Sequence, residues 1–201
     1  VQGTYYFLNG GDRIDAEIDM KEMPLNLVNG FIPDQIIGLE GVAVGHLTIQ
    51  GELDRPDVNG TADLSRALLV SVPYGVKLKM DSTPVTIEKS HVKFENFRFF
   101  DSRDQALTVN GTYNFADLGH MYADLRISAK NILVVDAKES RSSLAYGKAY
   151  INFLCSVKGE VDALKVRGGL EVLPTTDVYY ILKDSPITTD NRLKDLVDFV
   201  D

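Results

Sequence analysis

Apolar and polar residues alternate along most of this chain. Ile14, Ala16, Ile18 and Met20 are separated by Asp15, Glu17 and Asp19. A period of two marks a strand with one face buried and the other in water. The same alternation predicts strands through Leu47, Ile49, Gly51 and Leu53, and, after a break at Arg55-Pro56-Asp57, through Val58, Gly60, Ala62 and Leu64. It predicts further strands at Val76, Leu78 and Met80 and at Val85 and Ile87. Val92 and Phe94 fall on one parity and Phe97 and Phe99 on the other, so Glu95-Asn96 reads as a β-bulge. Leu107, Val109, Gly111, Tyr113 and Phe115 alternate, Asp117-Leu118-Gly119-His120 turns the chain, and Ala123, Leu125 and Ile127 return. Residues 157–172 form the longest alternating stretch. Helix signals are slight: one turn at 33–37, and a helical spacing of Leu193, Leu196, Val197 and Val200 after a cap at Asp190. The expected class is all-β with minor helix.

Glycine recurs inside this pattern. Val1-Gln2-Gly3-Thr4-Tyr5, Ile49-Gln50-Gly51-Glu52-Leu53, Val58-Asn59-Gly60-Thr61-Ala62, Val109-Asn110-Gly111-Thr112-Tyr113, Val157-Lys158-Gly159-Glu160-Val161 and Val166-Arg167-Gly168-Gly169-Leu170 share one form. Each glycine sits at an inward position and leaves a gap in the apolar layer. Asn59-Gly60 and Asn110-Gly111 would normally suggest hairpin turns. Gln50, Lys158 and Arg167 precede the equivalent glycines, however, and are not turn formers, so the glycines are placed within strands. Gly3 recurs at Gly111, Gly51 at Gly159 and Gly60 at Gly168, each 108 residues on. The expected organisation is a single elongated β domain over 1–201, with internal units of about 1–108 and 109–201. A repeatedly notched apolar face suggests a groove. Its candidate lining is Leu47, Ile49, Gly51, Leu53, Val58, Gly60, Ala62 and Leu64 in the first unit. Val157, Gly159, Val161, Val166, Gly168, Leu170 and Val172 are their counterparts in the second.

Charge narrows the partners. Asp and Glu number 29 against 21 Lys and Arg, a net charge of −8 without a long basic cluster, which argues against nucleic acid or an anionic membrane surface as ligand. The apolar runs, such as Ala67-Leu68-Leu69-Val70 and Ile132-Leu133-Val134-Val135, are strand-sized and far short of a membrane-spanning helix. The single cysteine, Cys155, lies in an apolar stretch and reads as a buried, inert thiol. His46, His91 and His120 are isolated, with no neighbour at metal-ligand spacing. Asp101 and Asp104 flank Ser102-Arg103 in what reads as a solvated turn. No local catalytic motif, metal set or cofactor loop appears, and the expectation is a non-enzyme without a cofactor. Tyr5, Phe7, Tyr113 and Phe115 read as core aromatics.

The stretch 45–64, carrying Ile49-Gln50-Gly51-Glu52-Leu53-Asp54-Arg55-Pro56-Asp57-Val58-Asn59-Gly60, resembles the C-terminal region of the TamB family of AsmA-like envelope proteins. Residues 157–172 look like the same motif with Leu164 in place of the proline. Val72-Pro73-Tyr74-Gly75 and Leu173-Pro174-Thr175-Thr176-Asp177 are similar to the segment that succeeds this motif in the family. The resemblance implies a periplasmic, elongated, curled β-sheet with an apolar interior. It also implies phospholipid movement between membranes and outer-membrane assembly with a barrel partner. The family's inner-membrane anchor is not in this chain, which therefore reads as a piece of a longer protein. Three functions are expected as rivals: an apolar groove holding phospholipid or another acyl-chain ligand, a scaffold sheltering unfolded outer-membrane strands, and a structural or adhesive β-repeat with a filled core.

Overall fold

The computed structural model describes residues 2–6, 13–31, 37–139 and 145–180. It is a single antiparallel sheet of 13 strands. The strands are β1 (Gln2–Tyr6), β2 (Arg13–Pro24), β3 (Gly38–Glu52), β4 (Pro56–Asp63), β5 (Ala67–Ser71), β6 (Val76–Met80), β7 (Val85–Glu88), β8 (His91–Phe100), β9 (Ala106–Asn114), β10 (Tyr122–Ala137), β11 (Ala145–Glu160), β12 (Lys165–Val172) and β13 (Asp177–Tyr180). The chain meanders, and several long strands are broken where they bend. β4 and β5 both pair with β3, β6 and β7 both pair with β8, and β12 and β13 both pair with β11. The corners fall at residues 64–66, 81–84 and 173–176.

Bulges continue the line of bending across the unbroken strands. Register shifts occur between Met20 and Met23 on β2, between Phe94 and Phe97 on β8, and between Ala129 and Ile132 on β10. The second is the bulge expected at Glu95-Asn96, where Asn96 takes a φ of 53°. A bulge adds one residue on one side and turns the strand, so bulges and corners set side by side bend the whole sheet. The sheet also curls. In strand order β8 and β9 lie between β6 and β10, yet Asp136 N–H donates to the carbonyl of Tyr74, at the tip of the β5–β6 hairpin, at 2.9 Å.

The interior is packed where the hairpin comes down. Met20, Leu25, Ala43, Ala67, Met80, Val85 and Phe97 form one buried cluster, in which Phe97 meets Phe94 and Phe99 edge to face. Leu78, Ala129, Ile132 and Ile151 form a second. Two carboxylates hold the bends from inside. Asp81, at the β6–β7 corner, accepts from Thr83 N–H (3.0 Å) and Arg98 Nε (2.9 Å). Asp101, at the β8–β9 turn, accepts from the N–H groups of Arg103 (2.8 Å), Gln105 (3.0 Å) and Leu133 (3.0 Å). The reading of Asp101 as a solvated turn residue is thus corrected: it is 1% exposed and ties the turn to β10. Asp104, whose φ is 58°, is exposed as expected.

The spacing of 108 recurs in the pairings. Ile49 faces Val58 and Val157 faces Val166; Leu47 faces Gly60 and Cys155 faces Gly168. Gly60 and Gly168 meet the same obstacle. A Cβ on Gly60 would lie 2.0 Å from the carbonyl oxygen of His46, and one on Gly168 would lie 2.2 Å from that of Leu154. The neighbouring strand's backbone approaches too closely for any side chain there. Gly51, Gly60, Gly111, Gly159 and Gly168 all lie within strands, not in hairpin turns.

One element is new and two expectations change. Helix in the described residues is a 3-10 segment at Leu25–Phe31, where Pro24 ends the β2 ladder and Leu25 enters the core. The segments 33–36 and 190–200 lie outside the described residues. The stretch 157–172 is two strands joined by a turn at 161–164, and the inward positions change from odd numbers on β11 to even numbers on β12 across that turn. Cys155 is half-buried, since β12 beyond it is uncovered.

Candidate functional site

Directly paired residues on adjacent antiparallel strands point to the same face. Following the pairs therefore traces each face across the sheet. From Ile18 on β2 the row passes to Leu47 on β3, Gly60 on β4, Ile87 on β7, Val92 on β8, Tyr113 on β9 and Ala123 on β10. A parallel row runs from Phe94 through Gly111, Leu125 and Val157 to Val166 on β12. This face is apolar from β2 to β12. The opposite face carries Asp15, Glu17, Asp19, His46, Gln50, Lys93, Asp124, Lys158, Arg167 and Glu171. Its polar groups pair across strands in water, as in His46 Nδ1 with Asp19 Oδ1 (2.8 Å) and Lys158 Nζ with Asp124 Oδ2 (2.6 Å).

The apolar face is packed at one end and open at the other. Leu47, Ile49, Phe94, Leu125, Ile127, Phe153 and Val157 are only half-buried. The candidate residues divide accordingly. Leu47, Ile49 and Gly51 lie on β3, Val58, Gly60 and Ala62 on β4, Val157 and Gly159 on β11, and Val166, Gly168, Leu170 and Val172 on β12, all on this face by register. Three are not on strands. Leu53 stands exposed in the bend before β4, Leu64 lies at the β4–β5 corner, and Val161 lies in the β11–β12 turn. Val166 and Leu170 share the face but stand at its rim, 65% and 64% exposed, because among the described residues nothing pairs beyond β12. The expectation that Val161 lines the face from a strand is corrected, since it lies in the turn, whereas Val166 and Leu170 lie on the expected face.

An apolar cleft lies elsewhere. A cleft of about 390 Å³ opens between the β5–β6 hairpin and the far end of β10, lined by Leu69, Val76, Leu78, Leu107, Ile132 and Val134 among others. Ser71 and Tyr74 are its polar-bearing neighbours. Leu107 and Ile132 also belong to the apolar face, opposite Ala129 and Ile151, so cleft and face are continuous. None of the candidate lining residues reaches this cleft. The sequence held a signal for it: Ala67-Leu68-Leu69-Val70 and Ile132-Leu133-Val134-Val135 do not alternate. Continuous apolar runs of strand length are buried on both faces, which places them where two layers of a curled sheet meet.

Chemistry beyond burial is sparse. No group of His, Cys, Asp or Glu suited to a metal ion occurs among the described residues. Burial alone would raise the pKa values of Asp81 and Asp101, but donors outweigh it and hold both below the usual carboxylate value. At Asp81 these are Arg98 and Thr83; at Asp101 they are the backbone N–H groups of Gln105, Arg103 and Leu133, with the Arg103 guanidinium. Both carboxylates are saturated by structural bonds. No protein-family model, curated protein or solved structure matches this chain.

Proposed function

We propose that the chain is a periplasmic segment of a TamB-like envelope protein whose apolar face holds phospholipid acyl chains. The observation that carries the reading is the continuous apolar face, left half-open along the sheet and ending in the cleft at Leu69, Leu78, Leu107 and Ile132. An acyl chain needs no directional partner. It gains about 0.8 kcal/mol for each methylene taken from water, and a long trough of aliphatic and aromatic side chains supplies that surface. The polar opposite face would stay in water. A core filled throughout agrees less well with the half-exposure of Leu125, Ile127 and Phe153. Partnership with an outer-membrane barrel rests on the family resemblance alone.

The test is native mass spectrometry of the chain purified from a Gram-negative periplasm, with lipid extraction, beside Leu125→Asp. Leu125 faces Gly111 and Val157 on the open part of the face, where a carboxylate can stay hydrated. The wild-type chain is expected to retain phospholipid. Leu125→Asp should keep its β-type circular dichroism and carry at least severalfold less lipid. A lipid-free wild-type chain, or equal lipid in both, would remove the reading.

A further inference from the structure

The rim strand carries an edge whose counterpart in the first half of the chain is covered. β12 lies on β11 as β4 lies on β3, pair for pair at the offset of 108. The outer edge of β4 is occupied: Val58 N–H donates to Ser90 Oγ, Ser90 N–H donates to the Val58 carbonyl, and Gly60 to Ala62 pair with β7. Val58 is 7% exposed there, whereas its counterpart Val166 is 65% exposed. Leu173 N–H donates inward to the Tyr150 carbonyl, so by alternation the N–H and C=O groups of Val166, Gly168, Leu170 and Val172 face outward. Among the described residues no strand meets them. Such an edge is a template for another chain.

We propose that β12 pairs antiparallel with β12 of a second copy about a two-fold axis at Gly169, giving a symmetric dimer with one apolar face continuous across both sheets. The strand is self-complementary in that register. On the apolar face Val166 falls opposite Val172, and Leu170 opposite Gly168, whose missing side chain leaves room for it. On the polar face Arg167 falls opposite Glu171, and symmetry makes the pair twice. Asn152 Nδ2 donates to Glu171 Oε2 at 2.7 Å, which leaves Oε1 for the guanidinium. The pairing satisfies the outward backbone groups and covers Val166, Leu170 and Val172 together. It stands independently of what the apolar face binds.

Sedimentation equilibrium of the full chain at low ionic strength tests this, with circular dichroism and thermal unfolding confirming that each variant is folded. The wild-type chain is expected to show a reversible monomer–dimer equilibrium. Arg167→Glu sets like charges opposite one another twice and should weaken it roughly tenfold. Arg167→Glu with Glu171→Arg restores opposite charges in each copy and should return the equilibrium to near wild type. Leu170→Pro removes one outward N–H at a strand edge and should abolish the dimer. If that variant misfolds, the charge-swap pair still decides. A wild-type chain monomeric at every concentration, a dimer indifferent to Arg167→Glu, a double variant as weak as the single one, or growth into open-ended oligomers would each overturn the proposal.

Discussion

Asp101→Ala should destabilise the folded chain by about 3–5 kcal/mol, the range for stripping a buried charge from its donors. Its carboxylate accepts three backbone N–H groups and Arg103 Nη2 while only 1% exposed. Alanine would leave the N–H groups of Arg103, Gln105 and Leu133 without that acceptor at the junction of the β8–β9 turn and β10. Arg103 would also lose the contact that holds its guanidinium 4.4 Å over the Tyr150 ring, linking the turn to β11. Urea unfolding measures the loss directly. The pH dependence is set by the sign of the shift. Folding lowers the pKa of Asp101, so the unfolded chain takes up the proton first as pH falls. The stabilisation is complete above the ordinary carboxylate pKa near about 4 and disappears as pH drops through the lower folded-state value. Asp101→Ala should therefore show a shallower loss of stability with acid than the wild type. Equal slopes, with no loss of stability at neutral pH, would contradict the role given to this carboxylate.

A second large effect separates the packed end of the face from the open one. Ile132 is 0% exposed and sits among Leu78, Ala129 and Ile151, where the β5–β6 hairpin meets β10. Ile132→Asp would place a carboxylate there without a donor and should unfold the chain, a cost of about 5 kcal/mol or more. Ile132→Val removes one methylene and should cost only about 0.5–1.5 kcal/mol. Leu125→Asp, on the same strand and the same face, should remain folded because water reaches Leu125. Thermal unfolding of the three variants reads this gradient. Similar behaviour of Ile132→Asp and Leu125→Asp would mean that the face is not divided into packed and open parts.

The strands were legible in the sequence because alternation is a direct consequence of one face being apolar. Ile14, Ala16, Ile18 and Met20, or Val58, Gly60 and Ala62, needed nothing else, and the change of parity around Glu95-Asn96 marked its bulge. The glycines were legible as strand residues from their shared spacing, though only the structure shows the carbonyl oxygens of His46 and Leu154 that exclude a side chain. The curl was not legible. It depends on a bond from Asp136 to Tyr74, 62 residues apart, and alternation carries no information about which strands meet across an interior. Asp101 was misread for a related reason. A turn aspartate and a buried anchor look alike locally, and its donor Leu133 comes from a different strand. Val161 was misplaced because it keeps the spacing of Val157 and Gly159, although the change of parity between Val161 and Val166 marked the turn that holds it.

Cys155 offers a native reporter for the open face. It is the only cysteine, half-buried, and set between Ile127 on β10 and Gly168 on β12, both on the apolar face. A small fluorophore attached to its thiol can be titrated with a fatty acid bearing a nitroxide on its chain, below the concentration at which the fatty acid aggregates. Saturable quenching, relieved by unlabelled phospholipid and weakened by Leu125→Asp, is the result expected if acyl chains lie along this face. Quenching no greater than that given by a water-soluble nitroxide, with no competition from phospholipid, would contradict it.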